Sequence, residues 1–152
     1  VVMIRDTDTA VGDQNLDTIA QRKRSDTQNR LRTVSETGDC ILVSIHQNHF
    51  SQSKYSGAQV FYSGNGEESK ALAEAIRRNI VDSLQPGNNR ENKQAEKNIY
   101  LLYNRQAPAV LVECGFLSNP EEAEKLSQEA YQKDMAAAIY NGLIDYMQEA
   151  RE

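Results

Sequence analysis

Two short runs of apolar residues stand out along the chain. Cys40–Ile45 and Ala109–Val112 are apolar at nearly every position and rich in β-branched residues. Strands that are covered on both faces have this pattern, because neither face carries regularly spaced polar residues. Gly57–Tyr62 predicts a third strand, Val1–Arg5 predicts a buried strand at the start of the chain, and Ile99–Tyr103 predicts a short extended segment.

A capping-box pattern predicts where the first helix begins. Ser25–Gln28 has the Ser-x-x-Gln spacing in which the two side chains cap backbone N–H groups of the first helical turn. The helix is expected to run to about Thr37 and to end at Gly38, a residue suited to the left-handed conformation after a helix. Its predicted buried residues are Thr27, Leu31 and Val34. The polar stretch Asp6–Arg24 before it is expected to be a long loop with one helical turn around Leu16–Ala20.

Three more helices are predicted between and after the strands. Apolar residues at every fourth position in Gly66–Leu84 are typical of an amphipathic helix. Asn119 and Pro120 supply an N-cap and a first helical residue for a short helix. That helix is expected to end near Leu126, and a last helix is expected over Gln128–Gln148.

The order of these elements predicts the fold class. Strands alternate with helices, and the strongest strands are apolar on both faces, which favours an α/β fold. We expect a mostly parallel sheet flanked by helices on both faces, a three-layer sandwich. The polar connector Gln85–Asn98 contains Pro86 and Gly87 and is predicted to be a mobile surface loop. At 152 residues the chain is expected to form one domain.

Composition and charge exclude two classes of protein. The chain has 17 Lys and Arg residues against 22 Asp and Glu residues, a formal net charge of −5. Nucleic-acid-binding proteins carry a basic excess, so nucleic acid is not an expected partner. The apolar runs are far shorter than the roughly 20 residues of a membrane span, so no transmembrane segment is expected in this chain. Cys40 and Cys114 lie at opposite ends of two predicted strands and are expected to be free thiols.

Two ionisable residues end the two strongest predicted strands. His46 follows Cys40–Ile45, and Glu113 follows Ala109–Val112. Ligand sites in open α/β sheets lie beyond the carboxyl ends of the strands, so both side chains are expected at one edge of the sheet. A carboxylate that ends a buried strand needs a partner such as a cation or backbone N–H groups. The two residues are therefore the main candidates for chemistry.

Each candidate also has a structural interpretation. His46 can be an imidazole at a strand end that is hydrogen-bonded to the backbone, and His49 is interpreted as a surface or supporting residue, because no helical pattern places it on one face with His46. Cys114 could be a nucleophile with His46 as its base, although adjacent residues of a strand point to opposite faces. A Ser-His-acid site is not predicted, because the chain has no Gly-x-Ser-x-Gly turn.

Three blocks of the sequence resemble one known family. Ser44–Asn48, Gly57–Tyr62 and Pro108–Pro120 have the order and spacing typical of the zinc-dependent N-acetylmuramoyl-L-alanine amidases of the Amidase_3 type. Val1–Arg5 is similar to the strand that precedes these blocks, so the resemblance covers essentially the whole chain. Val-Glu-x-Gly-Phe-Leu-Ser-Asn is its most specific motif. Tyr100–Asn104 looks like the branch of the family associated with the spore cortex and germination.

The resemblance implies an activity and a role for each site residue. It implies hydrolysis of the amide between the lactyl group of N-acetylmuramic acid and the L-alanine of the peptidoglycan stem peptide, by zinc-activated water. His46 would be a zinc ligand and Glu113 the catalytic carboxylate, while Asn48 and Asn119 would order the loops beside the metal. Zinc polarises the scissile carbonyl and acidifies water, and a carboxylate can carry the released proton to the leaving amine.

The resemblance also implies partners and a location. Peptidoglycan or muropeptides would be the substrate, and a lipoprotein activator accompanies some members of the spore-associated branch. The site of action would be extracytoplasmic, in the cell wall or the spore envelope.

One feature departs from the family pattern. Family members bind zinc through three side chains, including a His in a Gly-His-Gly-Gly turn and a Glu on the helix after it, and this chain has no Gly-His pair. The resemblance therefore implies two further zinc ligands upstream of residue 1. We interpret residues 1–152 as an amidase catalytic domain without its N-terminal strand, turn and helix. The alternative is a catalytically inactive amidase-like module that binds peptidoglycan or has a regulatory role.

Overall fold

A computed structural model describes residues 1–103 and 107–151 of the chain. Its helices and strands are, in chain order, α1 (Ile19–Thr37), β1 (Leu42–Asn48), β2 (Gln59–Tyr62), α2 (Glu67–Ser83), β3 (Lys93–Gln94), α3 (Tyr100–Tyr103), β4 (Ala109–Phe116), α4 (Pro120–Ser127) and α5 (Glu129–Glu149). Within these described ranges, no helix combines the length and the apolar composition needed to cross a membrane.

The four strands form one sheet in the order β1-β4-β2-β3. The two outer pairings, of β1 with β4 and of β2 with β3, are parallel, whereas β2 and β4 run antiparallel in the centre. The expectation of a mostly parallel sheet is therefore confirmed, with the central pairing as its exception. The direction of β2 is not visible in the sequence, because an apolar strand has the same pattern whichever way it runs.

The central strand β4 is also the most buried one. Its residues are all buried apart from Glu113, which is half-buried. The strand continues four residues beyond the predicted end at Val112, because β1 runs beside it as far as Asn48, which pairs with Phe116. The carboxylate therefore lies within the strand rather than just after it.

Helices cover both faces of the sheet, which confirms the three-layer α/β architecture. On one face α2 and α5 pack over a large core that includes Val60, Leu72, Ile76, Ile80, Val110, Val112, Cys114, Met135 and Ile139. On the other face α1 and α3 cover a smaller core of Val34, Leu42, Ala95, Leu102, Ala109 and Leu111. Side chains alternate along a strand, so Glu113 lies on the same face as Leu111, at the border of the smaller core.

A glycine allows α2 and α5 to pack closely. A Cβ atom at Gly142 of α5 would lie 2.5 Å from the Cα atom of Ile76 in α2. One turn further along α5, Asp145 accepts a hydrogen bond from Asn79 Nδ2 at 2.8 Å and forms an ion pair with Arg78 at 3.4 Å. Exposed ion pairs stabilise proteins only slightly, so the close backbone contact is what sets the spacing of the two helices.

The first helix begins earlier than predicted, because its N-cap is Thr18 and not Ser25. α1 starts at Ile19, and Thr18 is its N-cap: the Thr18 hydroxyl accepts from the Gln21 backbone N–H at 3.2 Å, and Gln21 Oε1 accepts from the Thr18 N–H at 3.0 Å. The prediction at Ser25–Gln28 was wrong because Thr-x-x-Gln has the same spacing and comes first. Of the three residues predicted to be buried, Val34 is buried, whereas Thr27 and Leu31 are only partly buried.

Two predicted extended segments are not strands. Val1–Arg5 pairs with no other strand of the described residues, and its first three side chains are exposed, because no neighbouring backbone runs beside it. Ile4 alone packs against the smaller core. Ile99–Tyr103 contains the short helix α3, because the carbonyl of Ile99 accepts backbone hydrogen bonds from the N–H groups three and four residues later.

The remaining helix boundaries agree closely with the predictions. The helices α2, α4 and α5 end within one residue of the expected positions. α1 ends at Thr37 as predicted, and Gly38 has the positive φ, 79°, for which glycine is suited.

The polar connector Gln85–Asn98 is tied to β2. Gln85 Oε1 accepts from the Ala58 N–H at 2.7 Å, and Asn88 Nδ2 donates to the Ala58 carbonyl at 2.9 Å. The short strand β3 then pairs with β2. The connector is therefore a fixed wall beside β2 rather than the free surface loop that its composition predicted.

We predict that Gly142→Ala destabilises the protein by about 1–3 kcal/mol, the usual cost of overpacking. The added methyl group would overlap the backbone of Ile76, which cannot move without shifting α2. At an open helical position the same change would stabilise the helix by up to about 1 kcal/mol, so the sign of the effect is informative. Urea denaturation followed by circular dichroism measures it.

The matched control is Gly87→Ala in the connector, where an added Cβ has no neighbouring atom within 4 Å. This variant is expected to unfold at nearly the same urea concentration as the parent protein. Equal midpoints for the parent and both variants would show that α2 and α5 are not in close contact at Gly142.

Candidate active site

Backbone pairing places three side chains in a row across the sheet. His46 of β1 pairs with Glu113 of β4, and Glu113 also pairs with Gln59 of β2. Paired residues of neighbouring strands point to the same face and lie about 5 Å apart. The predicted convergence of His46 and Glu113 is therefore confirmed, and Gln59 joins them. We call these three residues the site row.

His46 lies near the end of β1 and is exposed. Its Nε2 atom is 3.0 Å from the hydroxyl oxygen of Ser44, two residues earlier on the same face of the strand. The pKa of His46 is lowered by the partial burial of its ring and, secondarily, by the positive charges of Arg30 and Arg5. The lowered pKa favours the neutral imidazole, which is the form that can bind a metal ion.

Glu113 is a half-buried carboxylate with an unused oxygen. Its Oε2 atom is buried and has no hydrogen-bond partner among the described residues. Burial raises the pKa of Glu113 above its ordinary value, because the charged form is poorly solvated. Buried polar atoms nearly always have a partner, so this oxygen is suited to accept a proton or to face a cation.

Gln59 is the member of the row that the sequence did not identify. Its side chain is buried, its Nε2 atom donates to the Glu91 carbonyl at 3.1 Å, and its Oε1 atom is 3.5 Å from Arg90 Nη1. No motif marks this glutamine, because its place beside Glu113 depends on the antiparallel pairing of β2. The one available signal was its position in the block Gly57–Tyr62.

The described residues supply only part of a metal site. No group of three His, Cys, Asp or Glu side chains within residues 1–103 and 107–151 could hold a metal ion. His46 offers one nitrogen ligand and Glu113 one unused oxygen, whereas zinc sites in hydrolases have three protein ligands. The residues of the row therefore fit one coordination position and a proton acceptor, but not a complete zinc site.

The two asparagines singled out in the sequence have structural contacts. Asn48 Oδ1 accepts from the His49 N–H at 2.8 Å, and the Asn48 carbonyl accepts from the Leu117 N–H at 2.7 Å. Asn119 is the N-cap of α4, and its Oδ1 atom accepts from two backbone N–H groups of the first turn at 3.1 and 3.2 Å. Both residues hold backbone near the carboxyl ends of β1 and β4. His49 is exposed and follows the last residue of β1.

One carboxylate links the segments that surround the site row. Glu122 of α4 accepts from the Gly57 N–H through Oε1 and from the Phe116 N–H through Oε2, both at 2.7 Å. Gly57 has a φ of 90°, which a residue with a side chain rarely adopts. The turn before β2 and the end of β4 are therefore held by a single side chain.

The structure argues against Cys114 as a nucleophile. Cys114 packs in the large core on the face opposite to Glu113. Burial and the neighbouring Glu113 charge raise the pKa of the thiol to about 12, so it is not a thiolate at neutral pH. Neither Cys40 nor Cys114 forms a disulfide in the described part of the chain, as predicted.

Comparison with known proteins identifies the family. The model of the Amidase_3 family, described as N-acetylmuramoyl-L-alanine amidase, matches residues 1–145. The chain belongs to this family. The resemblance carried by the three sequence blocks is therefore confirmed, although Asn104, at the end of the segment Tyr100–Asn104, lies outside the described residues.

Relatives of the amidase family match over most of the chain. A germination-specific N-acetylmuramoyl-L-alanine amidase of Bacillus subtilis is 34% identical over 149 residues, which cover 98% of this chain and 62% of the relative. The CwlD amidase from Clostridioides difficile, solved in complex with the GerS lipoprotein, has a TM-score of 0.92 and 38% identity, covering 97% of this chain and 75% of that chain. The amidase AmiC2 of Nostoc punctiforme has a TM-score of 0.72 and 30% identity, covering 80% of this chain and 65% of that chain. The chain thus spans about three fifths of the length of the Bacillus amidase.

We predict that Glu113→Gln makes the metal-free protein more stable at neutral pH. The raised pKa means that folded Glu113 binds its proton more tightly than the unfolded chain does. The free energy of unfolding therefore falls as the pH rises from the ordinary glutamate pKa of 4.5 through the higher folded value. Thermal unfolding in the presence of EDTA, at about pH 4 and about pH 7, measures this difference. The gain of the Gln variant is expected near pH 7 and should shrink near pH 4.

Glu124→Gln provides a matched control for this experiment, because Glu124 is an exposed glutamate of α4. Its stability is expected to follow the parent protein at both pH values. A Glu113→Gln variant that is no more stable than the parent at neutral pH would contradict an uncompensated charge at Glu113.

Proposed function

We propose that the protein is an N-acetylmuramoyl-L-alanine amidase. It hydrolyses the amide between the lactyl group of N-acetylmuramic acid and the L-alanine of the stem peptide in peptidoglycan. Membership of the amidase family and the names of its relatives support this proposal. The observation that carries it is the unused buried oxygen of Glu113 beside the neutral imidazole of His46.

Glu113 has the properties of the proton carrier that amide hydrolysis requires. Burial raises the pKa of Glu113 towards neutral pH. A carboxyl group with a pKa nearer the working pH accepts and releases a proton more readily. In the proposed reaction, Glu113 accepts a proton from the attacking water and passes it to the nitrogen of L-alanine as the amide bond breaks. The leaving group then departs as an amine, and the lactyl group becomes a carboxylate.

We propose zinc as the metal, with His46 as one ligand. Bound zinc would polarise the scissile carbonyl and acidify the attacking water. The lowered pKa of His46 favours binding, because the neutral ring keeps its lone pair over a wider pH range. His46 alone would bind zinc weakly, so the proposal requires further ligands than those of the described residues.

We further propose that the protein acts on the cell wall or spore envelope, outside the cytoplasm, in the germination-associated branch of the family. The germination-specific amidase of Bacillus subtilis supports this assignment. The CwlD amidase was solved with a lipoprotein bound, so a lipoprotein is also the proposed kind of partner here.

We predict that the full-length gene product binds zinc and releases stem peptides from purified muropeptides. His46→Ala is expected to lower both zinc content and hydrolysis, because it removes a ligand. Glu113→Gln is expected to keep the zinc and to lower kcat by roughly a hundredfold or more, because it removes the proton carrier. Elemental analysis after dialysis and chromatography of the released peptides measure the two properties.

His49→Ala is the matched control, because this other histidine of the chain is exposed and outside the site row. It is expected to retain both zinc and hydrolysis. Full activity of Glu113→Gln in the presence of a chelator would refute the proposed mechanism. Binding of muropeptides without hydrolysis or zinc uptake would instead support the inactive binding module.

A further inference from the structure

A basic pocket opens beside the site row. The pocket has a volume of about 510 Å³, and its lining includes Lys54, Tyr55, Gln59, Arg90 and Lys93. Gln59 belongs to both features: its backbone pairs with Glu113, and its side chain lines the pocket. The pocket therefore opens on the same face of the sheet as Glu113.

Arg90 is held in place by two aromatic rings and by hydrogen bonds. The centre of its guanidinium group lies 4.7 Å from the ring centroid of Phe116 and 5.9 Å from that of Tyr55. Its Nε atom donates to the Ser56 carbonyl at 2.6 Å, and Nη1 lies 3.5 Å from Gln59 Oε1. These contacts fix the plane of the group and leave Nη2 without a partner among the described residues.

The cations of the pocket form no ion pairs with the described residues. In the part of the chain that the structure describes, Lys54, Arg90 and Lys93 form no ion pair within 4.0 Å. Glu91 is the one carboxylate among the lining residues, so cations outnumber it. This local excess of positive charge contrasts with the net charge of −5 of the whole chain. A planar, pre-oriented guanidinium group with free donors is suited to bind a carboxylate through two hydrogen bonds.

We propose that this pocket binds a carboxylate of the stem peptide, and so selects substrates whose stem carboxylates are free rather than amidated. This inference rests on the proposed function, since the stem peptide is the leaving side of the cleaved amide. Glu113 and Arg90 are separated by one strand spacing and the length of the Gln59 side chain. The distance between them is therefore less than about 15 Å. Four or five extended peptide residues span that distance, so a stem peptide whose first amide lies at Glu113 reaches Arg90.

Binding of the isolated peptide tests the proposal without any need for catalysis. The probes are an N-acetylated stem peptide with free carboxylates and the same peptide with these carboxylates converted to amides. Calorimetric titration is carried out with EDTA present, so that no metal contributes. The parent protein is expected to bind the free-acid peptide about tenfold more tightly than the amidated one, and the preference is expected to weaken at high salt.

Variants of the pocket separate charge recognition from folding. Arg90→Gln is expected to abolish the preference, and Lys54→Gln, an exposed change that leaves the aromatic contacts of Arg90 intact, is expected to reduce it. Lys125→Gln on α4, outside the pocket, is the matched control and should keep it. If Arg90→Gln fails to fold, Lys54→Gln alone decides the outcome.

Equal binding of the two peptides by the parent protein, or an unchanged preference in the folded pocket variants, would overturn the proposal. Such a result would leave the proposed hydrolysis intact, because the Glu113→Gln experiment tests it separately. Conversely, the protein could prefer the free-acid peptide and fail to hydrolyse muropeptides. That result would support the carboxylate pocket and refute only the proposed reaction.

Discussion

The pairing of β4 with a strand on each side is the constraint on which the site depends. Glu113 is the one residue of this central strand that is not fully buried, and backbone hydrogen bonds fix its neighbours as His46 on one side and Gln59 on the other. Register in a buried sheet cannot slip by one residue without turning every side chain to the opposite face. The spacing of the three residues of the site row is therefore set by the backbone and not by flexible loops.

The burial of Glu113 lowers the stability of the fold. A half-buried carboxylate with an unused oxygen raises the free energy of the folded state, and Gln59, its neighbour in the row, directs its own polar atoms to Glu91 and Arg90 instead. The large apolar core on the other face, and the close contact of α2 with α5 at Gly142, offset this cost. Ionisable groups whose pKa is perturbed by burial, as that of Glu113 is, are concentrated at functional sites.

The sequence predicted the features that depend on local pattern. The sequence points to His46 and Glu113 because each directly follows a strongly apolar run, and to the α/β class because strands and helices alternate. Gln59 was missed because its place in the row requires the antiparallel direction of β2, which periodicity does not encode. The start of α1 was misplaced because two capping-box patterns compete, and Val1–Arg5 was assigned to a strand because apolar composition does not show whether a neighbouring backbone is available.

The double hydrogen bond of Glu122 has a consequence for how this site can change. Its carboxylate holds the backbone of Gly57 and Phe116, and the ring of Phe116 lies 6.2 Å from that of Tyr55, which lines the basic pocket. Glu122 itself is not part of the site row. Backbone pairing thus fixes the site row, and one side chain of α4 holds the backbone segments beside the basic pocket. Substitutions in α4 can therefore reshape the surroundings of the basic pocket during evolution and leave the pairing of the site row untouched.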